Sequence, residues 1–171
     1  MRTFPSGPSG PSGAPDGAAG PRKREKAPPS RSIWSGVLVG VGVAAFVDET
    51  VFHQLLHWHH FYDRSTLAAG LVSDGLFHAF GWFAVVMGLI MFADLRRRDA
   101  LSGRSFAGGA LVGAGAFQLY DGTVQHKLLG LHQIRYHVNL VPYDWTWNVI
   151  AVILLVAGVL LLRAAAHGGG G

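Results

Sequence analysis

Four apolar stretches, separated by short polar joints, constrain this chain more than any other feature. They run from Ile33 to about Leu56, from about Leu71 to Leu95, from Phe106 to about Leu129, and from Trp145 to Leu162. Each has roughly the twenty residues that cross a ~30 Å hydrocarbon layer at ~1.5 Å per residue. In lipid a backbone must satisfy its own hydrogen bonds, so the stretches predict helices. Charged residues are 14% of the chain, against about 25% in a soluble domain, which argues against an ordinary soluble enzyme. The absence of cysteine excludes disulfides and thiolate metal sites. The expected fold is all-α: an integral membrane, up-down bundle of four transmembrane helices over residues 32–163. Residues 1–31, rich in Pro, Gly and Ser, are expected to be a disordered basic tail. Residues 164–171 are expected to be a flexible Gly-rich tail.

Basic residues predict the orientation. Arg22, Lys23, Arg24, Lys26 and Arg31 precede the first stretch, Arg96, Arg97, Arg98 and Arg104 separate the second and third, and Arg163 follows the fourth. The other two joints hold little positive charge. The positive-inside rule then puts both termini in the cytoplasm. The pI near 9.9 is on this reading a topology signal, not a nucleic-acid footprint. The bilayer is the expected partner, with a membrane complex as a further possibility. Trp58, Trp145 and Trp147 fall at the outer boundary, where indole rings prefer to sit.

The chain reads as a duplicated hairpin. LVGVGVAAFVDETVFHQLLHWHH (38–60) aligns without gaps on LVGAGAFQLYDGTVQHKLLGLHQ (111–133) at a constant offset of 73. Asp48, His53 and His59 thereby meet Asp121, His126 and His132. The second and fourth stretches match weakly at an offset of 70, with Asp74 on Asp144 and His78 on Asn148. Two-helix units return to the same side, so repeats of about 35–98 and 107–163 would be parallel, related by an axis along the membrane normal.

Polar residues gather at one membrane face. His53, His57, His59, His60, His78, His126, His132 and His137 lie in outer halves or outer joints, with Asp48, Glu49, Asp63, Asp74, Asp121 and Asp144; His167 lies on the other side. An Asp at membrane depth costs about 2.5–3.5 kcal/mol on insertion scales, so such a group requires pairing, a metal or a wet cavity. At 100° per residue, Glu49, His53, His57 and His60 form one stripe, and Asp48 and His59 another. Asp74 and His78 share a face, as do Asp121 and His132, while His126 is turned away. No single helix completes a metal site, so one would be assembled between helices.

Imidazole and carboxylate suit Zn, Fe, Mn or Cu(II). The candidate metal ligands or their orienting partners are His53, His59, His78, His126, His132, Asp48, Asp74 and Asp121, with His53, His78 and His126 leading. Non-covalent haem held by His53 and His126 as axial ligands is an alternative. Another is a cofactor-free structural or interaction subunit whose Asp–His pairs only hold helices together. A membrane metallohydrolase would need an open coordination position and a water; the residues leave open whether the protein is an enzyme. Glu49 is a candidate proton carrier. Walker, GxSxG, HExxH and dinucleotide motifs are absent.

The stretches GVGVAAFVDETVFHQLLHWHH, SDGLFHAFGW and YDGTVQHKLLGLHQIR resemble a bacterial family of four-helix predicted membrane proteins, domain of unknown function 2243. The signatures are D-x4-H-Q-x-L-x-W-H-H (Asp48 to His60) and D-G-x-F-H (Asp74 to His78), and the resemblance covers about residues 33–163. It implies a multi-pass protein of the bacterial inner membrane and brings no catalytic residues with it.

Overall fold

The computed structural model describes residues 29–167, and all its regular structure is helical. The expected tails at residues 1–28 and 168–171 lie outside the described residues. Four α-helices follow in order: α1 (Pro29–Asp48), α2 (Leu67–Arg97), α3 (Gly103–Tyr120) and α4 (Val141–His167). Residues 29–31 and 164–167, expected in the tails, are therefore helical. α1 and α3 each continue into a wide π-helical turn, Glu49–Leu55 and Asp121–Leu128. Thr66 and Ser102 cap α2 and α3 by accepting from the backbone N–H groups of Ala69 and Ser105.

The expected four-helix bundle is open between α2 and α4. The backbones of α2 and α1, of α1 and α3, and of α3 and α4 pack closely, while those of α2 and α4 do not; rings also join α2 to α3, Phe77 on Phe117 at 5.8 Å and Phe92 on Phe106 at 4.8 Å. Glycine sets the central contact. A Cβ on Gly40 would come 2.0 Å from the carbonyl oxygen of Ala110, and one on Gly113 would come 2.3 Å from that of Val37. Backbones approach this closely only over small residues. On both flanks large apolar side chains face outward, among them Trp82, Phe83 and Ile90 on α2 and Ile153, Val156 and Leu160 on α4. In water this surface would be a severe liability; in lipid it is the expected exterior.

Among the described residues, three helices are long and apolar enough to cross a membrane: Pro29–Leu55 with its wide turn, Leu67–Arg97 and Val141–His167. The third expected span is not in this group. Its segment is rich in glycine and ends in the polar turn DGTVQHKL, so it owes its place to packing between α1 and α4.

The two wide turns share their hydrogen bonds. Leu56 N–H donates to Val51 O and Trp58 N–H to Phe52 O; Leu129 N–H donates to Val124 O and Leu131 N–H to Gln125 O. Each bond of the first pair recurs 73 residues later in the second. The turns end α1 and α3 at the same end of the molecule, beside loops 56–66 and 129–140.

Candidate metal centre

π-helical turns are rare and concentrate at functional sites. A turn closed by i→i+5 bonds sets residues five apart on one side. That is the spacing of Asp48 to His53 and of Asp121 to His126. His126 thus comes back beside Asp121, with Nε2 3.1 Å from Oδ2, where a regular α-helix would have turned it away. Nε2 of His53 lies 3.9 Å from Asp48 Oδ2.

The loops bring in the next histidines. His59 and His132 each fold back under the opposite loop. The Nδ1–H of His59 donates to the carbonyl of Ile134 at 3.0 Å, and that of His132 to the carbonyl of Phe61 at 2.9 Å. A carbonyl only accepts, so both tautomers are fixed and both Nε2 atoms keep their lone pairs. His53 is oriented in the same sense. Its Nδ1 meets Asp74 Oδ1 at 3.1 Å, with Glu49 Oε2 at 3.0 Å.

The result is a chain of four imidazoles. Ring centroids are 4.4 Å apart from His53 to His59, 4.5 Å from His59 to His132, and 4.6 Å from His132 to His126. All four rings are buried, as are Asp48, Glu49, Asp74 and Asp121. Several donor atoms have no hydrogen-bond partner: Nε2 of His53, His59 and His132, both ring nitrogens of His126, Asp121 Oδ2 and Glu49 Oε2. Native proteins seldom leave buried polar atoms unpaired, because each one forfeits its hydration. Three sets of donors lie mutually within 4.8 Å: His59, His126 and His132; Asp48, His53 and His59; and Glu49, His53 and Asp74.

The loop imidazoles are held neutral. Burial, opposed by the Asp121 carboxylate, lowers His132 to about 4. Burial followed by the neighbouring His132, His53 and His126 pushes His59 far below its ordinary value. A neutral imidazole is the form that ligates a metal.

Not every expected residue joins the group. His78, a leading candidate, is exposed on α2, one turn deeper than Asp74, with its ring against Phe46 at 5.3 Å. The face of α2 that carries Asp74 and Phe77 is the one turned to the cluster, and His78 lies outside it. Asp74 is present, accepting from His53, from His60 Nδ1 at 2.6 Å and from Phe61 N–H at 2.7 Å. It orients imidazoles and closes a donor set with Glu49 and His53. The carbonyls of Phe61 and Ile134 were invisible in the sequence as orienting groups, since any residue supplies a carbonyl. Gln125 is buried beside His126 in the second turn; its match in the repeat is the apolar Phe52. Outside the cluster, a depression of about 340 Å³ lined by His57, Trp58, His59, His60, Asp63 and Tyr136 opens to the surface.

An all-helical body with a lipid-compatible exterior and a buried imidazole–carboxylate cluster at one end defines a class: membrane proteins with a polar site at the helix ends. The family model described as predicted membrane protein (DUF2243) matches residues 35–165, and the chain belongs to that family. No curated protein and no solved structure matches it.

Proposed function

We propose that this protein is a multi-pass membrane protein whose function is to bind a transition-metal ion in the imidazole–carboxylate cluster. The observation that carries the reading is the set of buried Nε2 atoms on His53, His59 and His132. All three lack partners, while the other nitrogen of each ring is committed to an acceptor. Metal-ligating histidines show this pattern: one ring nitrogen bonds an acceptor that fixes the ring, and the other is left for the ion. His126, Asp48 and Asp121 complete the donors. The set is nitrogen and oxygen only, which suits Zn, Fe, Mn or Cu(II).

A cofactor-free network would pair its own nitrogens, and the orphaned atoms weigh against it. Haem between His53 and His126 would need a flat slot, and the rings of His59 and His132 stand between those two. The finer topology belongs to the same proposal. It has four spans built as a duplicated hairpin, both termini on the cytoplasmic side of a bacterial inner membrane, and the cluster at the outer face. Arginines at the end opposite the cluster support that orientation, as does the recurrence of the turn bonds at 73 residues.

Elemental analysis of the detergent-purified full chain tests the metal reading. A first-row metal should copurify and should fall to background in a His59→Ala, His132→Ala double variant that keeps its helical circular dichroism. Equal metal content in both proteins, or none in either after loading, would refute the proposal.

A further inference from the structure

We infer that the cluster holds two metal ions, one on Asp48, His53 and His59 and the other on Asp121, His126 and His132. The inference rests on the metal-binding reading above and adds the number of ions and the division of ligands.

Ligands of one ion stand at most two bond lengths apart, about 4.2 Å for imidazole nitrogens. The donor sets that close within 4.8 Å hold three residues each, and none of them contains both His53 and His126 or both Asp48 and Asp121. One ion therefore does not collect all six donors. A single ion on one set would leave others buried and unpaired, with Nε2 of His53 or both nitrogens of His126 still lacking a partner.

Dividing the donors reduces that cost, giving a metal to Nε2 of His53, His59, His126 and His132. Asp48, His53 and His59 form one closed set. The second group closes within 4.8 Å as His126, His132 and His59; Asp121 takes the place of His59 there, with Oδ2 3.1 Å from His126 Nε2 and Oδ1 3.7 Å from His132 Nε2. His126 Nε2 and Asp121 Oδ2 are within contact distance yet not hydrogen-bonded. Two ligands aimed at a common ion adopt that relation. His59 Nε2 also lies within reach of His126 and His132, but one lone pair serves one ion. The spacing D-x4-H-x5-H, present twice, assigns His59 to the first set. Three protein donors per ion leave coordination positions open to water or a further ligand, and a surface depression borders His59 on that side.

Titration of the metal-free full chain in detergent with Co(II), read by visible absorption and by bound metal after desalting, tests the inference. Saturation at two ions per chain is expected, with His53→Gln and His126→Gln each saturating at one. Saturation of the wild type at one ion, abolished by either substitution, overturns the two-ion assignment and leaves the metal-binding reading intact. No uptake by the wild type overturns both. Should either variant fail to fold, the wild-type count of two or one still decides. Mn(II) at saturation gives a second reading: an exchange-coupled resonance supports two adjacent ions, and an isolated-ion spectrum at full loading contradicts them.

Discussion

His59 and His132 stack face to face, ring centroids 4.5 Å apart and planes 4° from parallel, each tied through Nδ1 to a carbonyl of the other's neighbouring loop. Two imidazolium rings would repel strongly at this distance, so the stack is a statement about charge as well as packing. It couples the two loops and presents two lone pairs to the interior.

That coupling gives the metal-free protein a pH dependence. His132 titrates near 4 in the folded state and near 6.5 unfolded. Between those values the unfolded chain binds the extra proton. Stability from this group is therefore fully present above about pH 6.5 and is lost as pH falls toward 4. Thermal melts of metal-free protein should show a falling midpoint across that window, and His132→Gln should flatten the fall. An unchanged slope in the variant would contradict the assignment.

Asp74 is the acceptor for His53, His60 and the Phe61 amide. Asp74→Asn keeps the shape and exchanges one of its two acceptor oxygens for a donor, which weakens the hold on His53 and His60 and leaves Glu49 as the carboxylate on His53 Nδ1. Loss of such an orienting group typically lowers metal affinity about 10–100-fold. Competition against a chelator should show a weakening of that order. His78→Ala, which removes an exposed ring outside the cluster, should leave affinity unchanged.

Packing of α1 on α3 predicts a contrast between two glycines. Gly40→Ala would place a Cβ 2.0 Å from a backbone oxygen and should destabilise by about 1–3 kcal/mol, as overpacking does. Gly75→Ala meets nothing within 4 Å. It should be neutral or stabilising by up to about 1 kcal/mol, the helix-propensity gain. Unfolding midpoints in one detergent compare the two.

The chain has no cysteine, which makes orientation accessible. Leu128→Cys, exposed beside the cluster, should react with an impermeant thiol reagent in intact cells. Ala166→Cys, near the end of α4, should react only after permeabilisation. The reverse pattern would invert the proposed topology.

The helices were legible because lipid demands long apolar stretches, and Asp48, His53, His59, Asp121, His126 and His132 stood out because rare polar residues recur at one spacing. What the sequence hid was geometric. An α-helical period turns His126 away from Asp121, and nothing in DGTVQHKL announces a turn wide enough to bring it back. The same period set His78 beside Asp74 on α2, but the structure buries Asp74 and Phe77 there and leaves His78 exposed. The order in which the helices neighbour one another was equally hidden, since apolar periodicity does not say which flanks meet.

X-ray absorption at the edge of the bound metal tests the central claim most directly. The account predicts a nitrogen and oxygen shell at about 2.0–2.2 Å with the outer scattering of imidazole rings, diminished in the His59→Ala, His132→Ala double variant. A shell of oxygen alone with no imidazole signature, identical in wild type and variant, would contradict it.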